Sequence, residues 1–131
     1  MTDKILFTGT IHVTAGADGA ARSSDGRFQF ALPEPHPAAE QLFAAAWSAC
    51  FLGALQLAAS QRKIVLPETP SMVTTVDLVL RNNAFFLKAR LDVTVPGLDS
   101  ITARELVDAA HTICPYSKAT SGNIDVEINL V

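Results

Sequence analysis

The chain has 131 residues, 49% of them apolar, two cysteines and a formal net charge of −3. That length fits one domain, residues 1–131, which buries roughly two-thirds of its unfolded surface and needs no staple to hold a core. The apolar fraction excludes a disordered chain, and the acidic balance without any basic run argues against nucleic acid and anionic membrane as partners.

The opening MTDKILFTGTIHVT has no apolar stretch leading to a small-residue cleavage site. This points to the cytosol, where cysteines are reduced, reactive or silent rather than bridged. Residues 4–14 are β-branched and partly alternating and predict a strand. AGADGA (15–20) and SSDG (23–26) read as turns, with short strands near 19–22 and over 27–32 completing an antiparallel meander. PEPHP (33–37) stops regular structure, since each proline removes a donor and constrains its predecessor. Pro37 suits a helix's first turn.

Residues 38–61 predict a helix that is apolar nearly all round, which implies burial on several sides. Its alanines, with Gln41, Ser48 and Gln56, favour a buried helix over a membrane span. Arg62 and Lys63 follow its C-terminus, where positive charge suits the dipole. Pro67 and Pro70 mark a loop. SMVTTVDLVLR (71–81) and FFLKARLDVTV (85–95) alternate on either side of an Asn-Asn turn and predict a hairpin. PGLDS (96–100) turns the chain into an amphipathic helix from Ile101 to about Ile113, which Pro115 ends or kinks. Residues 123–131 predict a last strand. The order β-β-β-α-β-β-α-β describes an α+β domain with two main helices on antiparallel sheet.

Cys50 lies in the middle of the long helix and Cys114 at the end of the second. Two readings stand. The pair are buried thiols acting as small hydrophobes, or they are reactive. Cys114, at a helix C-terminus, sits in partial negative charge that disfavours a thiolate. Cys50 has neither that handicap nor help from a dipole. Burial alone raises its pKa, so reactivity needs a positive partner.

AEQLFAAAWSACFLGAL (39–55) and AAHTICPYSKATSGNIDV (109–126) resemble the two cysteine motifs of organic hydroperoxide resistance proteins, of the Ohr/OsmC family. The likeness extends through SSDG, PGLD and the element order, hence over essentially the whole chain. It implies an OsmC-like fold, an intertwined homodimer with sites at the subunit interface, and a thiol peroxidase that reduces alkyl or fatty-acid hydroperoxides to alcohols. It makes Cys50 the peroxidatic thiol and Cys114 the resolving one, joined in a disulfide that an external dithiol reopens. The resemblance implies that this donor is usually a lipoyl group carried on a partner protein, and it implies no bound cofactor.

By the same resemblance Glu40 holds an arginine that faces thiolate and peroxide, although a carboxylate in a helix's first turn is also favoured by the dipole alone. Glu40 and Cys50 lie about 15 Å apart along a continuous helix, so a site shared between subunits is implied. Leu42, Phe43, Trp47, Phe51 and Leu55 offer an apolar wall for a peroxide tail, with Phe43, Trp47 and Phe51 the substrate-binding candidates; ordinary core is the alternative. The family's turn arginine is missing: GADG carries Ala17 where relatives have GRDG. Arg22 is the replacement candidate, with Arg27 and Arg81 behind it. The segment before Glu40 is also shorter than in relatives. A second function therefore stands beside the first, a dimer of low activity that binds a hydrophobic ligand. His12, His36 and His111 lack metal-ligand spacing with the cysteines and read as structural or surface residues. Tyr116, Ser117 and Asn123 read as turn-shaping.

Overall fold

A computed structural model describes residues 2–35 and 37–131, with Pro37 by its backbone alone; the expectation for His36 lies outside the described residues. The chain divides into two compact units, Met1–Ala39 and Glu40–Val131.

The first unit is an antiparallel meander of β1 (Ile11–Val13), β2 (Ala20–Ser23) and β3 (Gln29–Ala31). The turn after β1 closes through the Gly19 N–H on the Gly16 carbonyl at 3.0 Å, with Gly16 at φ 98°. A side chain at Gly19 would collide with the Leu32 carbonyl. In the SSDG turn the Ser23 hydroxyl donates to Asp25 at 2.6 Å, and the Arg27 N–H reaches the same carboxylate at 3.0 Å. These donors hold the Asp25 carboxyl below its ordinary pKa. The strand expected over 4–14 shrinks to three residues. β1 has ladder partners only from Ala21 to Ser23, and β-branched residues without a facing strand have nothing to pair with. Ile5, Leu6 and Phe7 are left exposed.

α1 (Pro37–Gln61) begins at the proline expected to open it. It ends in a Schellman arrangement: the Ile64 N–H bonds Ala59 O at 2.9 Å and the Lys63 N–H bonds Ser60 O at 3.1 Å, with Lys63 itself at φ 56°. By length and composition α1 is able to cross a membrane. One face carries Trp47, Phe51, Leu55 and Ala58 into the main core. The burial expected on several sides is not met within the chain, because Leu42 is 39% and Leu57 48% exposed.

The second sheet has the order β4-β5-β6. β4 (Ser71–Arg81) and β5 (Ala84–Thr94) form the expected hairpin, closed by Asn82 and Asn83 at φ 50° and 63°. Two consecutive left-handed residues make the turn whose twist suits a two-residue hairpin, and asparagine tolerates that region. β6 (Asp125–Leu130) pairs with β5 in parallel, from Lys88↔Asp125 to Val93↔Leu130. The α+β class holds, but the sheet is mixed rather than wholly antiparallel. The intervening helices carry the chain back across the sheet, the long connection that parallel pairing requires.

Those helices are α2 (Ser100–Ile113) and α3 (Pro115–Thr120), the second absent from the sequence reading. Asp99 caps α2 by accepting from the Thr102 N–H and hydroxyl, both at 2.8 Å, and these bonds lower its pKa from 3.8. A depressed carboxyl stabilises the fold above its unfolded value and loses that contribution as pH falls through its folded value. Urea midpoints of the natural chain should therefore decline below about pH 4 more steeply than those of Asp99→Asn, which keeps a capping oxygen but does not ionise. Parallel acid limbs in the two chains would refute this. The core joins α1 to Leu91 and Val93 of β5 and to Leu106, Val107 and Ala110 of α2.

Candidate functional site

Both cysteines are free thiols, Cys50 half-buried and Cys114 fully buried. They come from distant parts of the chain and meet in the second unit. Burial pushes the Cys50 pKa above its ordinary value. The Cys114 side chain adds to the rise by hydrogen bonding and by charge, while donation from the Tyr116 backbone N–H opposes it.

The joint between α2 and α3 explains this geometry. Cys114 ends α2, its N–H bonding Ala110 O at 2.8 Å, and it is also the N-cap of α3, its carbonyl accepting from the Lys118 N–H at 3.0 Å. Its backbone φ −61°, ψ 119° is extended, as the proline after it demands. The expectation that Cys114 sits only at a negative helix end is thus incomplete. So is the expectation that Cys50 lacks help from any helix, since Tyr116 lies in the first turn of α3, whose N–H groups have no partner inside the helix. The signal in the sequence was Pro115, which suits the first position of a helix as well as the end of one.

Trp47, 0% exposed, donates its indole N–H to the hydroxyl of Ser117, 1% exposed, at 3.1 Å. Phe43 meets the Trp47 ring edge-on, with centroids 5.8 Å apart and planes at 79°. Ser48 bonds Ala44 O at 2.7 Å and shares a 2.6 Å hydrogen bond with Thr74 of β4. α1 is thereby tied to β4 by one hydrogen bond and to α3 by another.

The remaining expected residues are more dispersed. Glu40 is half-buried in the first turn of α1 and has no ion-pair partner among the described residues of its unit. Arg22 is exposed on β2, opposite His12 and Gln29 in the first unit. Ala17 lies exposed in the turn between β1 and β2. Arg27 lies 4.0 Å from Asp25, and Arg81 stacks over the Phe86 ring at 5.2 Å. Of the aromatic wall, Phe43 is half-buried whereas Trp47 and Phe51 are enclosed in the core, as is Leu55; Leu42 is exposed. His12 is exposed, and His111 is half-buried with its Nδ1 lacking a hydrogen-bond partner among the described residues. Asn123 is exposed just after α3, its N–H on Thr120 O at 3.1 Å. No cluster of three or more His, Cys, Asp or Glu suited to a metal ion occurs among the described residues.

The family model for OsmC-like proteins matches residues 32–129. The organic hydroperoxide resistance protein of Xanthomonas axonopodis pv. citri is 39% identical over 137 residues, covering 98% of this chain and 96% of that protein. The crystal structure of the organic hydroperoxide resistance protein OhrB of Bacillus subtilis aligns with a TM-score of 0.86 at 38% identity, over 97% of this chain and 100% of that one. An organic hydroperoxide resistance protein from Legionella pneumophila aligns with a TM-score of 0.87 at 34% identity, over 97% of this chain and 98% of its own.

Proposed function

The chain belongs to the OsmC-like family, and on that premise we propose that it is a cysteine-based peroxidase reducing alkyl or fatty-acid hydroperoxides to alcohols in the cytosol. The observation that carries this reading is the meeting of two free thiols, one half-buried and one enclosed, from opposite ends of the second unit.

The Cys50 thiolate attacks the distal oxygen of ROOH. The O–O bond breaks, the departing alkoxide takes a proton and leaves as ROH, and Cys50 becomes a sulfenic acid. The Cys114 thiol attacks that sulfur, water leaves, and a Cys50–Cys114 disulfide remains. A dithiol then reduces it through a mixed disulfide and is itself oxidised to a cyclic disulfide. The donor is a lipoyl group on a partner protein, and no cofactor is bound between turnovers. The half-buried Phe43 contacts the peroxide tail, and Trp47 and Phe51 support that wall from inside the core.

The raised Cys50 pKa sets a condition on this chemistry, because the thiolate needs a guanidinium. In our reading Arg22, held by Glu40, supplies it in a homodimer whose sites lie at the subunit interface. Two features support the dimer: the uncovered face of α1 through Leu42, Ala46, Ala49, Gly53 and Leu57, and the exposed Ile5, Leu6 and Phe7. Apolar surface of that extent is characteristic of an interface.

Ala17 and the raised Cys50 pKa also favour a second reading, a dimer of low activity that binds a hydrophobic ligand. The deciding experiment follows cumene hydroperoxide consumption with dihydrolipoamide or glutathione as donor, in the natural chain, Arg22→Ala and Ala17→Arg. The peroxidase reading expects turnover with the dithiol that Arg22→Ala removes. Activity appearing only in Ala17→Arg favours ligand binding. A Cys50 thiol still protonated well above neutral pH in the assembled dimer ends the peroxidase reading.

A further inference from the structure

The only hydrogen bond between side chains that are both fully buried, among those described, is Trp47 to Ser117. Its place in the chain is informative. Trp47 precedes Cys50 by three residues on α1, and Ser117 follows Cys114 by three residues on α3. Trp47 and Cys50, three apart on α1, share a face, and Ser117 is the third residue of the helix that Cys114 caps, the two positions whose side chains approach each other at a helix start. The Trp47–Ser117 and Cys50–Cys114 contacts are therefore successive rungs, in antiparallel register, between the same two segments.

α3 has only six residues, too few to hold a helix by backbone bonds alone. What fixes it in space also fixes Cys114 at its N-cap. The indole is itself held, edge-on to Phe43 at 5.8 Å. Ser117 is enclosed, and Thr120 one turn later bonds back to Tyr116 O and Ser117 O, both at 3.1 Å.

We propose that Trp47 and Ser117 are a positioning pair that sets the separation and register of Cys50 and Cys114, and hence the ease with which they join and part. This rests on the redox reading of the two cysteines, and it assigns to Trp47 a role other than touching substrate. Neither residue contacts the reacting oxygen; both act through the segment they tie down.

The test measures the disulfide equilibrium of the full chain against reduced and oxidised dithiothreitol, with acid quenching and mass spectrometry. Trp47→Phe, Ser117→Ala and the double variant are compared with Thr74→Val, which breaks the tie of α1 to β4 instead. The first three should lower the equilibrium constant for the Cys50–Cys114 bond by about tenfold or more, a rise of about 30 mV in potential. Thr74→Val should leave it unchanged while lowering thermal stability. The double variant leaves no orphaned polar group, so it recovers stability lost in the single ones without recovering the disulfide.

Equal constants in all chains, with stability alone reduced, would mean that the bond is only packing, and would overturn the proposal. A natural chain forming no Cys50–Cys114 bond at any dithiothreitol ratio would overturn both it and the redox reading. The buffer contains no peroxide. A chain that consumes no hydroperoxide but shows the tenfold shifts would therefore keep the positioning pair and lose only the peroxidase.

Discussion

Cys50→Ser should abolish hydroperoxide consumption, by roughly three orders of magnitude or more, as removal of a nucleophile does. The sulfur anion is the attacking species, and a serine hydroxyl stays protonated where a thiol does not. Cys114 cannot substitute, because it is fully enclosed. Cys114→Ser should behave differently. The first oxidation proceeds, but the sulfenic acid at Cys50 then lacks its neighbour, so dimedone should label Cys50 and excess peroxide should carry it to the sulfinic acid. Intact mass after one equivalent of peroxide separates these states. Steady consumption by Cys50→Ser, or unlabelled Cys50 in Cys114→Ser, would contradict the assigned roles.

Phe51→Ala should cost about 3–5 kcal/mol of stability, the range for deleting an enclosed aromatic ring. Phe51 is adjacent to Cys50 in sequence, which makes it tempting to read as substrate wall. Its ring is fully buried in the cluster with Leu55, Leu91, Leu106 and Val107. Removal leaves a cavity whose lining loses its contacts. Urea unfolding at fixed protein concentration measures the loss, since any subunit association makes stability concentration-dependent. Phe43→Ala, at a half-buried site, should cost less and act on KM for long-chain peroxides. A Phe51→Ala chain as stable as its parent would return that ring to the substrate side.

The elements most legible in the sequence were those whose pattern carries its own partner. The β4–β5 hairpin contains both strands and its turn, so alternation and the Asn-Asn pair sufficed. α1 was legible from length and composition, with both ends within a residue of the expected bounds. The first strand is shorter than its β-branched composition suggests, because composition does not show that residues 4–10 have no facing strand. The direction of β6 was not legible, since residues 125–130 pair equally well in either sense until the length of the connection is weighed.

At the site, the two cysteine motifs identified the thiols, but not why they meet. That depends on α3, which the sequence hides because a proline that ends or kinks one helix suits the first turn of another equally well. The aromatic residues of α1 were ambiguous for a physical reason. On a helix apolar nearly all round, polarity does not mark which face turns inward, so Phe43 and Phe51 look alike although one is half-buried and the other enclosed. Arg22 stands, as expected, on a strand just before the SSDG turn, exposed on β2 of the first unit.

Trp47 is the chain's only tryptophan, enclosed in the core and one helical turn from Cys50. All indole fluorescence of this protein thus originates beside its thiols, in a dry setting that shifts emission to the blue. Sulfur chemistry at that spot is reported optically without any added dye, and the signal comes from a single known position.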